Sequence, residues 1–118
     1  MNNGSIIAWM DDIQMSAHLA KISTTHSYSL QFCDTISQIL DISHTTALII
    51  DLSSTSEKEL QRIVESKKND NIILMGFCKE LNGSLINYFK EMGCDMVFKR
   101  NELMKNLGSI LKKIFNAS

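Results

Sequence analysis

The stretch Ala47–Ser54, ALIIDLSS, runs four apolar residues straight into an aspartate and then turns polar. An apolar run without alternation is what a strand buried on both faces looks like, as in a parallel sheet covered by helices on each side. Asp51 then stands at the carboxyl end of that strand. It is either an ordinary loop-capping residue or the chemical centre of the protein, and the rest of the chain has to decide.

Outward from this run, four more apolar segments appear: Ser5–Met10 (SIIAWM), Tyr28–Phe32 (YSLQF), Asn71–Phe77 (NIILMGF) and Asp95–Phe98 (DMVF). YSLQF alternates, as a strand nearer an edge does. Between the runs lie segments with helical spacing. Asp12–Ser23 places Ile13, Ala17, Ala20, Met15, Leu19 and Ile22 on one broad stripe, and Thr35–Ile42 carries Ile36, Ile39 and Leu40. Ser56 with Glu59 forms a capping-box signature ahead of Leu60, Ile63 and Val64. Leu85, Ile86, Phe89 and Met92 precede Gly93, a helix-terminating glycine. Asn101 is a candidate N-cap for the stripe Leu103, Leu107, Ile110, Leu111 and Ile114. The order is βαβαβαβαβα, five of each, which implies an α/β sandwich around a parallel sheet with right-handed crossovers.

Bulk composition narrows the function. The 118 residues suit a single domain, spanning residues 1–118, and a formal net charge of −1 lacks the basic excess of a nucleic-acid-binding face. No apolar run approaches the roughly 18–20 residues of a membrane span, and no signal-peptide pattern opens the chain. A cytoplasmic location is expected. Cys33, Cys78 and Cys94 form no C-x-x-C pair and read as reduced, buried thiols. His18, His26 and His44 share no metal-ligand spacing. Trp9 reads as core.

In an open parallel sheet, ligands bind beyond the carboxyl ends of the strands. Asp11 and Asp12 follow the first strand there, Asp51 the third, Gly76 to Lys79 close the fourth, and Lys99 and Arg100 follow the fifth. Clustered carboxylates suit a hard divalent cation such as Mg²⁺. A lysine beside them can pair with a phosphoryl oxygen, and a carboxylate can attack phosphorus to give an acyl phosphate.

The acidic pair Asp11–Asp12, Asp51 ending ALIID, and Lys99 ending GCDMVFK, in this βα order, resemble the receiver domain of two-component response regulators. The resemblance covers roughly Ser5 to Phe115. It implies a doubly wound (βα)5 flavodoxin-like sandwich with strand order 2-1-3-4-5. It also implies Asp51 as phosphoacceptor, Mg²⁺ on Asp11, Asp12 and Asp51, and Lys99 as the phosphoryl contact. The switch positions depart from the pattern. Gly76, or Met75 with a one-residue shift, stands where the family has a hydroxyl; Met96 replaces an inward-swinging aromatic; Arg100 replaces proline, a residue absent from this chain. Gly76 reads as a small residue where backbone nears backbone.

The resemblance thus implies a signalling domain whose acidic pocket is kept and whose phosphorylation switch is impaired. Its partners would be a second copy of itself, through the face of the fourth helix, fifth strand and fifth helix, or an output domain, a transcriptional one above all. That face would carry Tyr88, Lys90, Glu91, Lys99, Arg100, Glu102 and Lys105. The alternatives are a conventional receiver phosphorylated on Asp51 by a histidine kinase, and a flavodoxin-like small-molecule binder. The last lacks a phosphate-binding loop after the first strand. No enzymatic turnover, direct nucleic-acid contact or membrane contact is expected.

Overall fold

A computed structural model describes residues 4–35, 44–67 and 71–116. Five strands, β1 (Ser5–Trp9), β2 (Ser29–Phe32), β3 (Thr46–Asp51), β4 (Ile72–Cys78) and β5 (Met96–Lys99), form one parallel sheet in the order β2-β1-β3-β4-β5. The described helices are α1 (Ile13–His26), α2 (Glu57–Ser66), α3 (Gly83–Met92) and α4 (Arg100–Asn116). The helix expected over Thr35–Ile42 falls, but for Thr35, outside the described residues. Consequently α3 and α4 are the fourth and fifth helical segments of the sequence pattern.

Alternation along each strand divides the interior into two cores. Ile7, Leu48, Ile50, Leu52, Ile72, Leu74 and Cys78 pack with Leu60 and Ile63 of α2, and Phe89 and Met92 of α3 lean on this layer. Ile6, Ala8, Ala47, Ile49, Met75 and Phe77 pack with Met15 and Leu19 of α1 and with Leu103, Leu107 and Leu111 of α4. The apolar runs are therefore continuous because both faces of β1, β3 and β4 are covered, each fully buried Leu, Ile, Met or Phe contributing about 1.5–3 kcal/mol. The edge strand β2 is mostly exposed: Leu30 leans on the α1–α4 core, whereas Phe32, which its alternation would bury, is 47% exposed. Trp9 is half-buried and leans on the α2–α3 core.

Local signals behave as chemistry demands. The Ser56 hydroxyl accepts from the Glu59 amide at 3.1 Å while the Glu59 carboxylate accepts from the Ser56 amide at 3.1 Å, completing the capping box of α2. Gly93 ends α3 at φ +124°, and a Cβ there would also meet Val64 Cγ1 at 2.6 Å.

Two local expectations are corrected. Asn101 does not cap the last helix: β5 passes into α4 at Arg100 with no intervening loop. The broad stripe of α1 narrows to Met15, Leu19 and half-buried Ile22, with Ala17 and Ala20 exposed and Ile13 83% exposed. Met15 already turns into the core in the first turn of α1, whereas Ile13 at the helix start faces away from it.

Candidate functional site at the carboxyl edge of the sheet

Asp12 is the N-cap of α1. Its Oδ1 accepts from the Met15 amide at 3.0 Å, which satisfies one of the donors a helix start leaves free. The same carboxylate is gripped by Arg100, whose Nε donates to Oδ2 at 2.6 Å and whose Nη2 donates to Oδ1 at 3.0 Å. Nη2 also donates to Gln14 Oε1 at 3.0 Å. Both partners of this bidentate pair are largely shielded, with side chains 16% (Arg100) and 14% (Asp12) exposed. The hydrogen bond from Arg100 holds the Asp12 carboxyl below its ordinary range; burial opposes this, while the Met15 amide and the charges of Arg100 and Lys79 assist it. Arg100 is correspondingly raised, first by its bond to Asp12, with the charges of Asp12 and Asp51 adding to it against desolvation.

Asp51 closes β3 half-buried and is much less engaged. Its Oδ1 accepts from the Ser53 amide at 3.0 Å, an Asx-type turn that starts the loop. Its carbonyl accepts from Thr55 Oγ1 at 2.8 Å and from the Ser54 amide at 3.2 Å. Oδ2 has no hydrogen-bond partner among the described residues and remains available as a nucleophile or acceptor. Asp11 is exposed, and Lys99 is exposed at the end of β5 opposite Cys78. Lys99 makes no ion pair to Asp51; the ion pairs among the described residues are Arg100–Asp12 and Lys67–Asp95. A cleft of about 310 Å³ opens at the ends of β4 and β5, lined by Lys79, Glu80, Lys99, Arg100 and Asn101.

The positions expected to depart from the receiver pattern have a physical account. Gly76 pairs in register with Ile50 on one side and Val97 on the other. A Cβ at Gly76 would lie 2.5 Å from Leu52 Cδ1 and 2.8 Å from Leu52 Cγ. The close approach is thus to the Leu52 side chain, which corrects the expectation of backbone against backbone. Met96 and Phe98 both pack toward the α1–α4 core. Cys78 is buried, its Sγ donating to the Glu80 carbonyl at 3.3 Å, and burial first, then the charges of Asp51 and Glu80, raise its thiol above the ordinary value. Its thiolate is disfavoured near neutral pH.

A Mg²⁺ ion binds through one or two carboxylates with an open oxygen and completes a near-octahedral array with waters. Arg100 engages both Asp12 oxygens, and no three His, Cys, Asp or Glu side chains among the described residues are grouped to hold a metal ion. As arranged, Asp12 has no oxygen to give the ion, and Asp11, Asp12 and Asp51 are not assembled as a three-carboxylate set. Arg100 and Leu52 are the residues that the sequence pattern failed to single out for these roles. The only available signal was an arginine directly after the last strand, on the same sheet edge as an acidic pair.

Strand order, two-sided core and the carboxylate edge together define the architecture. The chain has the response-regulator receiver fold. Solved structures agree over nearly the whole length. A pilus assembly-related protein of Burkholderia pseudomallei superposes with a TM-score of 0.74 at 17% identity, covering 98% of this chain and 92% of that one. The regulatory domain of CsgD, a master biofilm regulator, gives 0.69 at 18%, covering 97% and 89%. A response regulator of red-light signalling in R. palustris gives 0.63 at 10%, covering 98% and 96%. The sequence matches no protein-family model and no curated protein. Among the described residues of this receiver fold, no helix is long and apolar enough to cross a membrane.

Proposed function

We propose that the chain is a signalling receiver module that acts by presenting its surface to another protein, with its phosphorylation switch impaired. The observation that carries this reading is the occupied switch edge: Arg100 sits on Asp12, and Leu52 takes the space beside Gly76 where a hydroxyl-bearing side chain would stand. Loss of that hydroxyl removes a charge-assisted hydrogen bond of about 1.5–3 kcal/mol. A two-state switch is biased by free energies of that size. Asp51 phosphorylation would therefore lack the contact that transmits it.

The proposed surface is α3–β5–α4, engaging a second copy of the chain or an output domain, a transcriptional one above all. Tyr88, Lys90, Glu91, Lys99, Glu102 and Lys105 are exposed there, a mixed-charge set suited to reciprocal ion pairs. Arg100 does not join them, because its guanidinium turns inward to Asp12. Sedimentation equilibrium of the wild type against Lys105→Glu, with and without acetyl phosphate, tests the reading. It predicts self-association that the charge reversal weakens and the phosphodonor leaves unchanged. A monomer that dimerises only with the phosphodonor would overturn it.

One observation favours a second reading. The open Oδ2 of Asp51 leaves a carboxylate able to accept a phosphoryl group from a histidine kinase, as in a conventional receiver. Mass spectrometry of wild type and Asp51→Asn after acetyl phosphate separates the readings: stoichiometric modification of the wild type alone, with the dimer shift above, supports the conventional one.

A further inference from the structure

We propose that Arg100 is the resident cation of this pocket: its guanidinium is fixed on Asp12 in the place of a divalent metal ion and makes the module independent of one. The inference rests on the receiver-like reading of the site and specifies what holds its acidic edge together. Arg100 approaches Asp12 with two N–H groups on two oxygens, the planar fork that a carboxylate accepts best. Gln14 takes a further donor from Nη2 and fixes the plane of the guanidinium. Asp51, which continues the alternation of Ala47 and Ile49 toward the α1–α4 side, adds its charge to the field at Arg100.

The topology makes this more than a local ion pair. Asp12 begins α1 just after β1, and Arg100 begins α4 at the end of β5, with β3 and β4 between those two strands. The bridge therefore joins the starts of two helices that follow strands far apart in the sheet and pack side by side on one face of it. An arginine keeps its charge at any physiological pH and never dissociates into solvent. A divalent ion entering this edge would have to strip a shielded bidentate partner from Asp12. The position that follows the strand-ending lysine thus supplies the counter-charge from within the chain.

The test is a Mg²⁺ titration of the full chain followed by ¹H–¹⁵N NMR of the backbone amides and of the arginine Nε–H groups. In the wild type, millimolar Mg²⁺ should leave the bonded Nε–H signal of Arg100 and the amides of Asp11, Asp12 and Asp51 in place. In Arg100→Gln the same amides should show saturable shifts, with Mg²⁺ affinity at least about tenfold tighter than in the wild type. Arg100→Lys, which keeps the charge and loses the fork, should fall between the two and serves if the glutamine variant does not fold. Saturable Mg²⁺ binding by the wild type with release of the Arg100 Nε–H overturns the inference, yet leaves the module's receiver reading intact. Failure of both variants to gain affinity overturns it as well, since Arg100 would then not stand where a cation can.

Discussion

Two aspartates end or follow neighbouring strands on the same sheet edge, and their surroundings are opposite. Asp12 has both oxygens spoken for, by a helix N-terminus and by a shielded arginine, whereas Asp51 holds one backbone amide and leaves an oxygen open. The difference separates structure from chemistry. The β1–α1 corner is a joint that ties the start of α1 to α4, and the β3–α2 corner holds a carboxylate with one open oxygen.

If that contrast is right, the two corners respond unequally to mutation. The largest loss is expected for Asp12→Ala, which removes both the cap and the ion pair: about 3 kcal/mol by urea unfolding. Arg100→Gln should follow at about 2 kcal/mol, since the cap remains. Its pH dependence sharpens the point. The folded Asp12 carboxyl lies below its ordinary value, so at acid pH the unfolded chain binds more protons. The bridge therefore contributes fully above the unfolded carboxylate value and is lost as pH falls through the depressed folded one. The stability gap between wild type and Arg100→Gln should narrow as pH drops below about 4. A gap independent of pH breaks the assignment.

Gly76→Ser, which puts a hydroxyl back at the altered position, should cost about 1–2 kcal/mol by crowding Leu52. Leu52→Ala in the same chain should recover part of that; full tolerance of the single variant would remove Leu52 from the account. Asp51→Asn should change stability by less than about 0.5 kcal/mol, because its turn-forming amide bond survives. The smallest effect is chemical. Cys33 and Cys94 are pushed up to about 11 by burial, and Cys78 is raised as well. Native protein at neutral pH should label with iodoacetamide far more slowly than the same chain in urea; rapid labelling of Cys78 would mean that the Asp51 corner is more open than described.

The same contrast shows how far residues alone could be read. Continuous apolar runs in β1, β3 and β4 follow from burial on both faces, and the Ser56–Glu59 box and Gly93 are local devices whose spacing declares them. Strand order came from the resemblance, because period and spacing do not say which parallel strands adjoin. The exposed Ile13 and the inactive Asn101 cap were misread because helical periodicity fixes neither the first residue of a helix nor the edge of its buried stripe. At the site, sequence order was enough to bring Asp11, Asp12, Asp51 and Lys99 to one edge. It could not pair Arg100 with Asp12, since that contact joins side chains 88 positions apart. Nor could it show that Leu52, the residue after the candidate phosphoacceptor, fills the space beside Gly76.

We propose above all that Asp51 is an acceptor carboxylate whose occupation this fold does not transmit. Beryllofluoride with Mg²⁺, a mimic of the phosphoryl group on Asp51, tests it most directly when the backbone amides are followed by NMR. The expected result is no response, or shifts confined to the loop around Asp51, with Gly76, Val97 and the first turn of α4 unmoved. Saturable shifts spreading from Asp51 through β4 and β5 into α4 would contradict it.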